Sequence, residues 1–222
     1  MLTPSPERRH DGAVAARTRR HAVSVTTPLA PTRRVAPAKA RILETAITRF
    51  YQDGIRSVGV DRLIEESSVT KATFYKHYGS KDRLISDYVD ALALRAVDDF
   101  DASASEASTP EELLRAWTDH LVDYVHGDTF RGDPFLNAAA EFADPAHPVR
   151  ERITEHFETM TERFAGVLEK LGHPMPGAAA DRLILATLGL EAWSYTGDVI
   201  AASAAFRSAV DGLIAEAATA PR

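Results

Sequence analysis

Apolar residues first recur at helical spacing from Ala38: Ile42, Leu43, Ala46, Ile47 and Phe50 share one face, and Gly54 supplies a stop. The pattern then predicts a short helix from Val60 to Ser67, a break, and a second from Thr70 to Tyr78. Gly79-Ser80 interrupts again. Ser80 is a good N-cap and Asp82 suits the positive end of a helix expected from Lys81 to about Asp101. The Ala/Ser/Thr stretch 102–109 reads as a loop. Further helices are expected at 110–126, 134–142, 148–171, 178–197 and 203–218. Pro110 with Glu111 and Glu112 opens the first of these, and Pro134, Pro145, Pro148 and the Gly172–Gly177 turn punctuate the rest. No segment alternates as a strand, so the expected fold class is all-α with about nine helices.

A hydrophobic content of 45% in 222 residues is ample for a core. The absence of cysteine excludes disulfides, zinc-thiolate sites and thiol nucleophiles, which suits a reducing compartment. No apolar run approaches the ~18 residues of a membrane span, and the opening MLTPSPERRHDG carries no apolar stretch after its charges. The expectation is a cytoplasmic protein without membrane contact.

The net charge of −6 is unevenly distributed. Up to residue 41 there are nine basic against two acidic residues (+7), from 42 to 84 seven against six (+1), and thereafter ten against twenty-four (−14). A basic front and acidic back suit a molecule that offers one end to phosphates. Residues 1–36, rich in Pro, Arg, Ser and Thr without periodicity, read as a disordered basic arm. Such an arm either adds phosphate contacts or is an inert leader.

The informative stretch is 58–84. Two short helices around a tight break can pack steeply and leave the second free to enter a major groove. Val60, Leu63, Ile64, Val69 and Phe74 form the shared core of that pair, leaving Thr70, Lys71, Thr73, Tyr75, Lys76 and His77 exposed. These hydroxyls, cations and imidazole are groups that bond phosphates and base edges.

The run VTKATFYKHYGSKDRL resembles the recognition helix and following helix of the TetR family of transcriptional regulators, and RILETAITRFYQDGIRSVGVDRLIEES is similar to that family's first two helices. The likeness is specific over about 38–88 and only architectural beyond. It implies a three-helix helix-turn-helix DNA-binding domain (37–84) followed by a helical-bundle domain for effector binding and dimerisation (85–222). Carried over, Thr70 would cap the recognition helix and bond phosphate. Lys71, Ala72 and Thr73 would face the groove, Lys71 donating to bases; Tyr75, His77 and Lys81 would meet phosphate, and Lys76 adds a cation to the same surface. Phe74 and Tyr78 fall on core positions. Two positions depart from the family: Ser68 stands where the turn usually has Gly, and Gly59 where Thr or Ser commonly caps the second helix.

One short recognition helix makes few contacts, so half-sites are normally read by two-fold dimers. Leu183, Thr187 and Leu190, with Phe206, Val210 and Leu213, are the expected homodimer surface on the last two helices; the alternative is that they close the chain's own core. For an effector pocket the candidates are Trp117, His120, Tyr124, Phe135, His156, Phe157, Met160 and Trp193, where aromatic groups meet a few polar ones. The segment RGDPFLNAAAEFADPAHPVR at 131–150 resembles a motif in a subset of the same family, with Asp133 where Cys often precedes the Pro-Phe; its proline-bounded helix is a candidate movable link between pocket and DNA domain. No nucleotide, nucleophile-elbow or zinc-protease motif occurs, so neither catalysis nor a cofactor or metal is expected. The expected function is a repressor of transcription, released from a palindromic double-stranded DNA operator by a small-molecule effector. The alternatives are an effector-independent regulator or a helical small-molecule carrier.

Overall fold

The structure, a computed structural model, describes residues 36–219. Among these are nine helices and no strand: α1 (Pro37–Asp53), α2 (Val60–Glu66), α3 (Lys71–His77), α4 (Lys81–Glu106), α5 (Pro110–Val125), α6 (Pro134–Glu141), α7 (Pro148–Leu171), α8 (Pro176–Thr196) and α9 (Val199–Thr219). The arm expected at 1–36 lies, but for Ala36, outside the described residues. None of the described helices is long and apolar enough to cross a membrane.

The loop expected at 102–109 is shorter than the composition suggested, because α4 continues to Glu106. Val97, Phe100 and Ala104 pack on the C-terminal core, and the Ser103 and Ser105 hydroxyls donate to the carbonyls of Asp99 and Ala102. Polar side chains that would favour a loop are thus satisfied within the helix. Thr109 then caps α5, its hydroxyl accepting from the Glu112 N–H at 3.1 Å while the Glu112 carboxylate accepts from Ser108 N–H at 2.7 Å. This reciprocal pair fixes the chain's entry into α5.

Two apolar cores stack along the molecule. The first joins Ile42, Ile47 and Phe50 of α1 to Leu63, Phe74 and Tyr78, to Leu84, Tyr88 and Leu92 of α4, and to Phe135, Ala138 and Ile153. Val60, Ile64 and Val69 pack on its edge, as their spacing predicted. The second gathers Phe100, Leu114, Trp117, Met160, Phe164, Leu168 and the inner sides of α8 and α9. Helices α4 and α7 contribute to both cores.

The dimer surface expected on α8 and α9 is corrected by this packing. Leu183, Leu190, Phe206, Val210 and Leu213 are buried in the chain's own core, and Thr187 lines an internal cavity. Helix α8 is apolar almost all round, so periodicity alone does not say which side turns inward. Outward instead stand Leu185 (68% exposed), Trp193 (55%) and, on α9, Ile200 (73%), among Gly189, Ala192, Ala201, Ala204 and Ala205.

Ser68, in the turn between α2 and α3, has φ +52°, the one non-glycine residue in the left-handed region among those described. An L-residue there costs about 1–2 kcal/mol, whereas glycine is free of that penalty but loses more entropy on folding. Ser68→Gly is therefore expected to raise stability by up to ~1 kcal/mol. The measurement is the urea midpoint at unchanged slope, and a lowered midpoint would show instead that the serine side chain holds the turn.

Candidate functional site

Helix α3 is seated by Phe74, wholly buried, and by Tyr78, whose ring lies 6.0 Å from that of Phe74 and whose hydroxyl donates to the Lys39 carbonyl at 3.3 Å. Thr70 is the N-cap, its hydroxyl accepting from Thr73 N–H at 3.1 Å and pairing with the Thr73 hydroxyl at 2.8 Å. With Phe74 and Tyr78 turned inward, Thr70, Lys71, Ala72, Tyr75 and Lys76 are left exposed, and Thr73 and His77 half-buried, on the opposite side. Lys71 Nζ stands 3.4 Å from Asp61, an exposed ion pair that solvent screens. The cationic and hydroxyl groups read from the sequence therefore form one accessible row.

Two neighbours of that row behave differently. Gly59 caps α2 with no side-chain bond, and a Cβ there would meet nothing within 4 Å, so the position accepts a hydroxyl residue. Lys81 points inward: its ammonium donates to the Ile55 carbonyl and lies 5.7 Å from the centre of the Phe50 ring. Partial burial lowers its pKa. Positive charge is also consumed between α1 and α2, where Arg62 bonds Glu66 at 2.8 Å and Asp53 at 2.9 Å, and Arg49 bonds Glu66.

The second feature is a cavity of about 130 Å³, partly open to solvent, enclosed by α4, α5, α6, α7 and α8. Of the eight residues expected in a pocket, Trp117, His120, Tyr124, Phe135, His156, Phe157 and Met160 line it. Trp193 does not: Glu191 faces inward, and two residues further along a helix the side chain has swung to the far side, where Trp193 covers Gly197. The walls are largely aromatic. His156 stacks on Phe135 at 3.7 Å and His120 on Trp117 at 5.4 Å.

Of the polar groups of this cavity, the sequence singles out His120, His156 and Tyr124, and Glu191 only as the neighbour of Trp193; it does not foretell the pairing of Glu191 with Asp133. Asp133 and Glu191 are both buried and hydrogen-bonded to one another. Burial, then their mutual repulsion, holds Glu191 well above the ordinary carboxyl range, and burial lifts Asp133 to about 6. The pair therefore resists double ionisation: Glu191 is the carboxyl that keeps its proton and Asp133 the one that ionises first. Across the cavity Asp99 stands 3.9 Å from His120 Nε2, and Arg95 lines the wall nearby. A signal for Glu191 did exist: it is the single acid in the apolar run Leu183–Trp193.

Helix α6 joins the two features. Asp133 is its N-cap, accepting from Leu136 N–H at 2.5 Å, and Pro134 and Phe135 form cavity wall. Just before it, the Tyr51 hydroxyl of α1 donates to Gly132 carbonyl at 3.0 Å and accepts from Arg131 N–H at 2.6 Å. The same hydroxyl lies 3.3 Å from that of Tyr124 in the cavity wall. At the helix's other end the Glu141 carboxylate accepts from Ile55 N–H at 2.6 Å and Arg56 N–H at 2.7 Å, in the α1–α2 turn. Both ends of α6 are thereby fastened to the unit that carries α3.

Residues 42–88 match the family model described as bacterial regulatory proteins, tetR family, and residues 110–171 match that of a tetracyclin repressor-like C-terminal domain. Among solved structures, SCO4454, a TetR-family transcriptional regulator from Streptomyces coelicolor, is 34% identical with a TM-score of 0.77, over 82% of this chain and 96% of that one. A putative regulator of the same type, sav143 from Streptomyces avermitilis, shares the fold at 23% identity and TM-score 0.64, over 78% of this chain and 98% of its own. The HTH-type transcriptional repressor SCO4008 of Streptomyces coelicolor is 31% identical over 86 residues, 39% of this chain; the match spans 41% of that repressor's length.

Removing the Glu141 carboxylate leaves two backbone donors without their charged acceptor. Glu141→Ala is expected to lower stability by about 2 kcal/mol, read in urea unfolding. A change within error would mean that water replaces the carboxylate without loss.

The acid pair also sets a pH dependence. Asp133, raised in the folded state, adds stability that is fully present below its unfolded pKa near 4 and lost as pH rises through about 6. Full loss amounts to on the order of 3 kcal/mol. Glu191→Gln removes the repulsion and leaves Asp133 an amide donor, so the variant should be more stable than the parent at pH 7.5 and gain little at pH 4.5. Thermal unfolding at the two pH values measures this, and an equal gain at both would assign the effect to packing instead.

Proposed function

The chain belongs to the TetR family of transcriptional regulators, and on that premise we propose that it represses transcription as a homodimer on a palindromic operator and is released by a small molecule in the α4–α8 cavity. The observation that carries the reading is the exposed row on α3, held on a buried aromatic base. Thr70, Tyr75 and His77 serve as phosphate contacts, Lys71, Ala72 and Thr73 face the base edges, and Lys76 adds charge to the phosphate side. Lys81 reaches phosphate only by leaving the Ile55 carbonyl, so its contribution is the smaller.

Dimerisation is assigned to the outer side of α8 and α9, where Leu185, Trp193 and Ile200 stand exposed among glycine and alanines that allow close helix approach. Release follows from α6. A ligand that displaces Phe135 or Asp133 moves a helix whose other end holds the Ile55–Arg56 backbone, and so changes the angle at which α3 is offered to DNA. A ligand preferring the DNA-incompetent arrangement shifts the population off DNA by that difference in affinity.

The test is selection of duplexes from a random pool by the full chain, followed by gel shift. A palindromic site is expected, with Lys71→Ala and Tyr75→Ala each weakening it about tenfold and a steep loss of binding with salt. Leu185→Glu with Ile200→Glu should give a folded monomer in sedimentation that no longer binds the palindrome. Recovery of no preferred sequence would sink the reading, and a dimer persisting in the double variant would move the interface elsewhere.

A further inference from the structure

The cavity holds a combination that an apolar ligand leaves unused. At one end, beside Tyr124, the hydrogen-bonded Asp133 and Glu191 carboxyls face a space lined by the rings of Phe135 and His156. Neither carboxyl forms an ion pair among the described residues; the ion pairs along α4 and α5 involve other acids. An unneutralised negative charge next to aromatic faces is strongly unfavourable in a protein interior and attractive to an entering cation. At the other end, Trp117 (5% exposed) has its indole N–H without a hydrogen-bond partner, and back toward the acid pair His156 (7% exposed), stacked on Phe135, has Nδ1 in the same condition. Thr187 adds an unpartnered hydroxyl on the wall between. Buried polar atoms are ordinarily satisfied, so three orphans around one cavity mark places where a ligand's polar atoms belong.

We propose that this cavity selects an aromatic monocation: a flat apolar frame with a protonated amine set on the Asp133–Glu191 pair and a hydrogen-bond acceptor directed to the Trp117 N–H. The proposal rests on the reading of the cavity as the effector site. Trp117 and Tyr124 are two turns apart on α5, so the two polar ends of the ligand are separated by roughly 10 Å. An ammonium donates to the ionised carboxyl while the proton shared with the other stays in place, so one positive and one negative charge cancel. A carboxylate ligand in the same place would meet like charge, and a neutral one would leave the acid pair uncompensated.

The charge that attracts the cation disappears in acid. Asp133 takes up its proton near pH 6, so binding weakens as the pH falls below that value. The other titratable groups facing the pair stay neutral between pH 5 and 7.5. Burial raises the hydroxyls of Tyr51 from α1, Tyr88 from α4 and Tyr124 from α5, and lowers the His156 imidazole of α7 to about 4. Asp99 and His120, with Arg95, belong to the opposite wall.

Three probes on one frame test the charge rule by calorimetry on the full chain: 2-naphthylmethylamine, 2-naphthalenemethanol and 2-naphthoate. The amine is expected to bind at least tenfold tighter than the alcohol, with the carboxylate weakest. Its affinity should fall roughly tenfold from pH 7.5 to 5.0, the loss of ionised Asp133 over that interval. In Asp133→Asn with Glu191→Gln the amine should sink to the level of the alcohol while the alcohol is unchanged. Each single variant should lie between, which keeps the comparison intact if the double variant misfolds. An alcohol or carboxylate binding as well as the amine overturns the cation rule and leaves the effector cavity standing. If all three fail at millimolar concentration, the cavity is not an effector site and both readings fall.

Discussion

Helix α6 is only eight residues long, and neither of its ends is free. Glu141 holds the backbone N–H groups of Ile55 and Arg56, while the segment leading into the helix is held by the Tyr51 hydroxyl through Gly132 and Arg131. Charge-assisted bonds to backbone donors are directional as well as strong, so they transmit position where apolar packing alone would allow sliding. Phe135 and Asp133 on the same helix form cavity wall. The α1–α2 turn and the cavity wall are therefore two ends of one short rigid body.

The cavity is built against stability. A buried acid pair and several unpartnered polar atoms each disfavour the folded state, and well-packed apolar side chains in the same positions would favour it. Such costs gather where a site must remain ready for a ligand, and the surrounding cores offset them. Here the offset is visible in α4 and α7, which contribute to both apolar clusters and so brace the cavity from either side.

On the DNA-binding half the limiting quantity is positive charge. Arg49 and Arg62 are engaged with Glu66 and Asp53 in fixing α2 on α1, and Lys81 is turned to Ile55. The exposed row on α3 keeps Lys71 and Lys76, with His77 half-buried beside them. A surface so modestly charged needs two copies for useful affinity, which is where the proposed dimer enters.

The order of the helices, the Ser80 cap and the inward turn of Phe74 were legible in the chain, because they depend on local spacing and capping chemistry; the Thr70 cap and the core place of Tyr78 were legible through the family resemblance, and the Thr109 cap was not read. The aromatic stripe from Trp117 to Tyr124 and the pair His156–Phe157 were legible as pocket candidates for the same reason: one helical face carries them. Local spacing fails where a helix is apolar on every side. On α8 it did not tell Leu183 from Leu185, and only packing against α7 and α9 turned the first inward and left the second outside. Nor does spacing bring together residues from distant segments. Asp133 and Glu191 are 58 positions apart, and Tyr51 lies 81 positions from Gly132. By itself the sequence determined which helices form and which side chains α3 leaves exposed; the tertiary structure alone decided which carboxyls are paired, which side of α8 is free and what α6 holds, since these depend on contacts between elements that no local pattern encodes.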